Sequence, residues 1–171
     1  LSAYFILAAN AFMQNPVGYT LNPEAGRVEL TDFVAVLTNP VVLAAFPHTL
    51  FSAFMFAGAV VIAVSAWHLS RGQHLETMRA SLKYGLWFTI VTFGLTALSG
   101  DQLSLVMVDT QPMKMAAAEA LWHTACGADA SFSLFSIGTP DGTAEVWSLR
   151  VPYMLSFLST HSFDGCVEGL H

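Results

Sequence analysis

His48 is the residue best placed to do chemistry, because it lies in a long apolar run, VVLAAFPHTLFSAFMFAGAVVIAVSAWHL (residues 41–69), that contains no Asp, Glu, Lys or Arg. A run of that length is typical of a transmembrane helix. An ionisable side chain inside such a helix is costly and therefore marks a candidate functional site. A neutral imidazole is also a common axial ligand of haem iron. Position alone leaves two interpretations open: an iron ligand, or a histidine hydrogen-bonded to a neighbouring helix or carbonyl.

A second candidate pair, Lys114 and Glu119, lies on the alanine-rich stretch DTQPMKMAAAEALW (residues 109–122). The alanines favour a helix, and Pro112 suits its first turn. Five positions apart, the two charges are about 140° apart around the helix axis and do not form a local ion pair. Spacing alone favours two solvated surface residues. The alternative is a cation and a carboxylate that serve a ligand held against neighbouring apolar side chains.

The composition indicates that these candidates belong to a membrane protein. The 171 residues are 54% hydrophobic and 11% charged, with a mean hydropathy of +0.57, whereas soluble domains contain about 25% charged residues. Nothing basic enough to bind nucleic acid is present. Because the chain begins at Leu1 inside an apolar stretch, we expect an internal piece of a longer protein. Residues 1–14 lack a charged leader, so we expect the end of a transmembrane helix rather than a signal peptide.

The pattern predicts an all-α integral membrane protein, a fragment of a transmembrane helical bundle with a long extracytoplasmic loop. Residues 40–69 form the transmembrane helix that carries His48, and Asn39 is a good N-cap before a proline at the first helical position. A second transmembrane helix covers residues 82–99, with Gly100 as its stop signal. The connecting loops are residues 15–39, 70–81 and 100–171.

The distribution of basic residues predicts the orientation of the chain. Three of its six basic residues fall between residues 70 and 83, beside a single acid. The positive-inside rule places the loop at 70–81 in the cytoplasm. Residues 15–39 and 100–171 then lie on the extracytoplasmic face. The three basic residues are Arg71, Arg79 and Lys83.

Two cysteines, Cys126 and Cys166, lie in the segment predicted to be extracytoplasmic, where disulfides can persist. Because the sequence does not establish the distance between them, free thiols are favoured over a disulfide. The remaining histidines fall at helix ends or in loops and are interpreted as surface or interfacial residues. They are His68, His74, His123, His161 and His171.

Several short motifs, taken in their order and spacing, resemble subunit I of the cytochrome bd quinol oxidases of bacterial respiratory chains. The resemblance covers essentially the whole chain, which would be an internal portion of that subunit including the start of its Q-loop. The matching motifs are NAFMQNPVG (residues 10–18), Asn39-Pro40, FPHT (46–49), SAW (65–67), Gly100-Asp101, KMAAAEALW (114–122) and VPY (151–153).

The resemblance implies that His48 is an axial ligand of the low-spin haem b558. It also implies that Lys114 and Glu119 occupy the quinol-oxidation region of the Q-loop. The ligands of the two other haems, b595 and d, would lie outside this segment. The implied function is oxidation of a membrane quinol, with electrons passing through haem b558 towards reduction of oxygen to water and generating a proton motive force. The implied partners are ubiquinol or menaquinol, oxygen, the remainder of subunit I, subunit II and the lipid of the bacterial inner membrane.

The two charged residues would have distinct roles, because a quinol must lose two electrons and two protons. Glu119 could accept a proton if its carboxylate lies within hydrogen-bond reach of the quinol hydroxyl. Lys114 could donate a hydrogen bond or stabilise negative charge that develops on the quinone oxygen. Two alternatives stay open: a non-redox transporter in which His48 relays protons or substrate, and a structural membrane subunit.

Overall fold

A computed structural model describes residues 1–142 and 144–170, so the prediction for His171 lies outside the described residues. The described residues form two long helices, several short helices and three small antiparallel sheets. In chain order the elements are α1 (Ser2–Gln14), β1 (Tyr19–Asn22), β2 (Arg27–Leu30), α2 (Phe33–Leu37), α3 (Pro40–Ser70), α4 (Leu75–Thr110), α5 (Pro112–Ala118), β3 (Ala125–Cys126), β4 (Phe132–Gly138), β5 (Glu145–Val151), α6 (Met154–Thr160) and β6 (Cys166–Val167).

The two long helices, α3 and α4, form a hairpin that positions His48. They contain 31 and 36 residues, which gives lengths of about 46 and 54 Å at 1.5 Å per residue. Both are long and apolar enough to cross a membrane, and few of their side chains are buried within the chain. The helices pack against each other along much of their length. This agrees with the predicted helical membrane protein.

The start of α3 confirms the predicted cap. The Asn39 side chain accepts a hydrogen bond from the backbone N–H of Val41 at 3.0 Å, and Pro40 is the first helical residue. The same side chain is buried, and its Nδ2 donates to the carbonyl of Asn15 at 2.8 Å. One asparagine thus caps α3 and ties it to the end of α1.

Glycines allow α3 and α4 to approach closely. A Cβ atom built on Gly58 would collide with the hydroxyl of Thr89, and one on Gly85 would lie 3.2 Å from Ile62 and Val61. Small residues at such positions are typical of helix contacts in membranes. The Thr89 hydroxyl donates to the carbonyl of Gly85 at 2.8 Å, so it leaves no unsatisfied polar group between the helices.

The prediction for the second long helix is wrong at both ends. Helix α4 begins at Leu75 rather than residue 82, and it continues through Gly100 to Thr110. The loop predicted at 70–81 therefore shrinks to residues 71–74. A glycine within a helix costs only about 1 kcal/mol, and tertiary packing requires this one. A Cβ on Gly100 would lie 3.1 Å from Cε1 of His48, so Gly100 makes room for the imidazole instead of ending the helix.

The expectation of an all-α chain is also wrong, because both loops predicted to be extracytoplasmic contain strands. Strands β1 and β2 form a hairpin within residues 15–39, and β4 pairs with β5 in a second hairpin. The sequences of β4 and β5, FSLFSIG and EVWSLRV, contain partly alternating apolar and polar residues, a pattern typical of strands. Gly142, with φ +72°, lies in the connection between the two strands, as is typical of a turn residue.

The C-terminal segment, defined as residues 111–170, has its own small apolar core. Its buried side chains come from α5, α6, β6 and the connections between them, and Met107 and Val108 of α4 pack against them. The segment is therefore docked on the end of α4 rather than detached from it. The core residues are Met115, Ala116, Leu121, Ala130, Leu155 and Val167.

A disulfide closes this segment, so the favoured prediction of free thiols is wrong. Cys126 and Cys166 are bonded, with their Cα atoms 4.0 Å apart. They face each other because β3 and β6 pair in an antiparallel register that sets Cys126 opposite Cys166. This register joins positions 40 residues apart, and no local sequence pattern reveals it.

We expect the double variant C126S/C166S to loosen the C-terminal segment. Closing a loop of 40 residues contributes about 4 kcal/mol by restricting the unfolded chain. Backbone amides of residues 125–170 should therefore exchange with solvent faster in the variant, measured by hydrogen exchange on the full-length protein. Amides of α3 serve as the internal control and should not change. Equal exchange in the two proteins would show that the disulfide is not a stabilising link.

Candidate functional site

The imidazole of His48 lies half-buried against α4, and its hydrogen bonds distinguish its two nitrogens. Nδ1 lies 3.2 Å from the backbone carbonyl oxygen of Thr96. Because a carbonyl only accepts, Nδ1 must carry the proton and donate it. The Ser99 hydroxyl, which donates to the Leu95 carbonyl, lies 3.4 Å from the same nitrogen. Nε2 is then the unprotonated nitrogen, and no hydrogen bond to it occurs within the described residues.

This geometry bears on both interpretations of His48. The bond to a carbonyl is what a satisfied polar side chain needs. However, it is also the arrangement that fixes the ring and tautomer of metal-ligating histidines, whose second nitrogen remains for the metal. Nε2 makes no hydrogen bond within the described residues, so its lone pair would be free to bind a metal. The chemistry of the donor therefore fits an axial ligand of haem iron.

Lys114 lies on α5 and is held by the end of α1. Its Nζ donates to Oε1 of Gln14 at 3.0 Å. The backbone carbonyl of Gln14 accepts a second hydrogen bond at 2.8 Å from the side chain of Gln111, at the junction between α4 and α5. Lys114 is solvent-exposed, as its spacing predicts, but it is not free. No role was predicted for Gln14 or Gln111, although Gln14 lies in the first matching motif.

Glu119 directly follows α5 and faces the β4–β5 hairpin. It is half-buried, and Oε2 accepts a hydrogen bond from the backbone N–H of Ser133 at 3.1 Å. Burial raises the pKa of Glu119 above its ordinary value of 4.5, while the Ser133 N–H and the positive charge of Arg150 oppose this shift. The interpretation of Glu119 as a solvated surface residue is therefore wrong. A carboxylate with a raised pKa is better suited to accept a proton near neutral pH.

Lys114 and Glu119 do not pair with each other. No ion pair among residues 1–142 and 144–170 joins them, which agrees with their predicted positions around the helix. Lys114 contacts α1, whereas Glu119 contacts β4. Lys114 on α5 and Glu119 directly after α5 therefore face different neighbours, and each remains available for a separate role.

Arg150 of β5 fixes the backbone beside Glu119, a role that was not predicted from the sequence. Its guanidinium donates to the carbonyl of Ala120 at 2.7 Å and forms an ion pair with Glu145. Burial alone would raise the pKa of Glu145, but hydrogen bonds from Ser148 and Arg150 and the charge of Arg150 together lower it. One feature of the sequence could have indicated a role for Arg150: it is the one Lys or Arg after Lys114.

A further contact links α4 to the residue after α6. Nε2 of His161 lies 3.1 and 3.2 Å from the two carboxylate oxygens of Asp101. Asp101 directly follows Gly100, against which the His48 ring packs. Thus Gly100 packs against His48, and the next residue of α4, Asp101, contacts the C-terminal segment.

Two clefts flank α5 and its C-terminal end. One, of about 280 Å³, lies between the end of α4, α5 and β6, and the other, of about 310 Å³, lies beside Arg150. Neither is lined by Lys114 or Glu119, although Ala120, the residue after Glu119, lines the second. The first is lined by Val108, Asp109, Pro112, Met115, Cys166, Val167 and Glu168.

A helix pair of membrane-spanning length, with a histidine between the helices and a folded segment at one end, defines a helical membrane protein with a site near that end. Comparison with known sequences identifies the family. All 171 residues match the sequence model described as cytochrome bd terminal oxidase subunit I, and the chain belongs to this family. The resemblance stated from the motifs is thereby confirmed. The family consists of bacterial membrane proteins and implies haem cofactors.

Individual relatives agree with this assignment. The chain is 34% identical over 170 residues to cytochrome bd ubiquinol oxidase subunit 1 of Bacillus subtilis, covering 99% of the chain and 36% of the relative. It is 34% identical to cytochrome bd-II ubiquinol oxidase subunit 1 of Escherichia coli, covering 99% and 33%. The bd oxidase structure from Geobacillus thermodenitrificans superimposes with a TM-score of 0.87 at 30% identity, covering 99% and 38%. The chain thus spans about a third of the length of these relatives.

We expect Glu119→Gln to change the pH dependence of stability in the C-terminal segment. Because folding raises the pKa of Glu119, its contribution is fully present below the unfolded value and is lost as pH rises through the folded value. The glutamine still accepts from Ser133 but does not ionise. Hydrogen exchange of the segment should therefore lose this pH-dependent step, whereas Glu24→Gln in the exposed β1–β2 turn should retain it. Identical pH profiles for wild type and Glu119→Gln would contradict the assignment.

Proposed function

We propose that this chain is part of a respiratory terminal oxidase that oxidises a membrane quinol. Electrons would pass through a low-spin haem b, b558, towards reduction of oxygen to water. The observation that carries the proposal is the hydrogen bond from His48 Nδ1 to Thr96, which leaves Nε2 as a ligand atom. The names of the relatives, which are ubiquinol oxidases, support the substrate class. Residues other than those of this chain would hold haem b595 and haem d.

His48 would hold haem b558 through Nε2. When bound, the haem supplies one-electron redox chemistry that the side chains of this chain lack. His48 contributes a neutral imidazole whose orientation is fixed by Thr96, and the absence of a Cβ at Gly100 keeps the ring against α4. A carbonyl partner makes the imidazole a better donor to a metal. These features support His48 as a residue that would hold the haem iron.

Glu119 would accept a proton during quinol oxidation, and Lys114 would interact with the quinol oxygen. Glu119 would accept a proton from a quinol hydroxyl, and burial, which raises its pKa, favours that role. Lys114 would donate a hydrogen bond to the quinol oxygen or stabilise negative charge there. Gln14 would act as a positioning residue, because its side chain accepts from Lys114 and its backbone is held by Gln111.

The orientation of the chain is also part of the proposal. The turn at residues 71–74 would face the cytoplasm, and residues 15–39 and 100–171 would be extracytoplasmic in the bacterial plasma membrane. The disulfide supports this, because disulfides persist in oxidising compartments. Trp67, over which Arg71 lies at 4.4 Å, would mark the cytoplasmic boundary. The partners would be quinol, oxygen, the rest of subunit I, subunit II and membrane lipid.

Family membership favours the redox role over the alternative of a transporter in which His48 relays protons. Membership of an oxidase family also favours the redox role over a structural subunit.

We expect His48→Ala in the full-length complex to abolish the low-spin b signal in a reduced-minus-oxidised spectrum, because the iron loses an axial ligand. His68→Ala, in the last turn of the same helix, is the matched control and should keep the signal. His48→Met covers the case in which the alanine variant does not accumulate. It retains an iron-ligating atom and should raise the haem potential. An intact low-spin signal in His48→Ala would contradict the ligand assignment.

We expect Lys114→Ala and Glu119→Ala to slow quinol oxidation while the haem content is retained. Loss of a general base lowers kcat by about a hundredfold or more, and Gln14→Leu should cost about tenfold through the lost hydrogen bond to a charged group. Arg27→Ala, in the exposed β1–β2 hairpin, is the control. Unchanged quinol turnover in the Lys114 and Glu119 variants would remove both residues from the site.

A further inference from the structure

A groove runs along one face of α4 near the turn at residues 71–74. It has a volume of about 340 Å³ and combines two cations, an indole and three aliphatic side chains. The lining positions form two adjacent rows, 79–83–87 and 82–86–90, each with four-residue spacing, so they share one helix face. Most of them are exposed, including Trp87 at 62% and Ile90 at 60%. The lining residues are Arg79, Leu82, Lys83, Leu86, Trp87 and Ile90.

The two cations of the groove have no counter-charge in the part of the chain that the structure describes. Neither Arg79 nor Lys83 forms an ion pair with any of the residues described. Glu76, the single acid in this part of the sequence, pairs with neither. Like charges four residues apart destabilise a helix slightly. The pair therefore presents an unneutralised double positive charge beside an apolar surface.

The order of side chains along the groove matches the layers of a phospholipid. Arg79 and Lys83 come first, Trp87 follows, and Ile90 lies deepest along the helix. At 1.5 Å per residue, the distance from Arg79 to Ile90 is about 16 Å along the axis. Basic residues attract anionic headgroups, and tryptophan prefers the boundary between headgroups and acyl chains. Leu82 lies at the depth of the two cations, and Leu86 and Ile90 continue towards the apolar centre of α4.

We propose that this groove binds an anionic phospholipid. Its phosphate would lie against Arg79 and Lys83, and an acyl chain would lie along Leu82, Leu86 and Ile90. A free phosphate ion would use the two cations but not the apolar wall. A neighbouring protein helix would have to supply an acid at the membrane boundary. A lipid provides the negative charge and the apolar chain in one molecule, so the charge and layering of the groove favour it. The proposal does not depend on the quinol reaction.

The test compares phosphatidylglycerol with phosphatidylcholine on the detergent-solubilised full-length complex, using native mass spectrometry to count bound lipids. Wild type should prefer dioleoyl-phosphatidylglycerol. The double variant R79Q/K83Q should lose about 30-fold in affinity for that lipid, because each cation contributes about fivefold near an anionic surface. Its affinity for dioleoyl-phosphatidylcholine should stay unchanged. R71Q is the matched control, because Arg71 lies over Trp67 outside the groove, and it should keep the preference.

Three outcomes would overturn the proposal. Equal affinity for the two lipids in wild type would show that the groove does not select an anionic headgroup, as expected if another helix covers it. Displacement of phosphatidylglycerol by millimolar inorganic phosphate would indicate an ion site rather than a lipid site. An unchanged preference in R79Q/K83Q would place the lipid elsewhere. If the double variant does not accumulate, K83Q alone should show the fivefold loss.

Discussion

The hydrogen bond between His48 and the carbonyl of Thr96 is the interaction on which the rest of the site depends. It joins the two long helices and determines which ring nitrogen remains for chemistry. A carbonyl has two lone pairs, so that of Thr96 can accept from the imidazole in addition to its helical partner. The ring fits because residue 100 is a glycine. The same residue therefore explains the position of the imidazole and the continuation of α4 beyond it.

The other long-range contacts cluster around that end of the helix pair. Asn39 ties the start of α3 to α1, Gln14 ties α1 to Lys114, and Asp101 ties α4 to His161. Each contact joins elements that are distant in sequence, and each uses a polar side chain at or beyond the apolar part of the helices. The folded C-terminal segment is thereby held over the end of the bundle that carries His48.

Local patterns predicted the start of α3, the length of its apolar part and the position of His48 within it. They could do so because helix caps and hydropathy depend on residues that are close in sequence. The continuation of α4 could not be predicted, since a glycine stop signal was overridden by contact with a side chain 52 residues earlier in sequence. The burial of Glu119 depends on Ser133, and the disulfide depends on the register of β3 and β6. The motifs identified the family, but not these contacts.

The positions of the two candidate groups have a consequence for charge separation. His48 lies about 12 Å along α3 from its first residue, inside the apolar part of the helix. Glu119 lies beyond the end of α4, in the C-terminal segment. Under the proposed orientation, a proton taken by Glu119 would stay at the extracytoplasmic face, whereas an electron delivered towards His48 would move into the membrane. Separating the two charges in this way stores energy across the membrane without requiring a proton path through α3 and α4. The position of His48 within the apolar part of α3 would then also make the proposed quinol oxidation electrogenic.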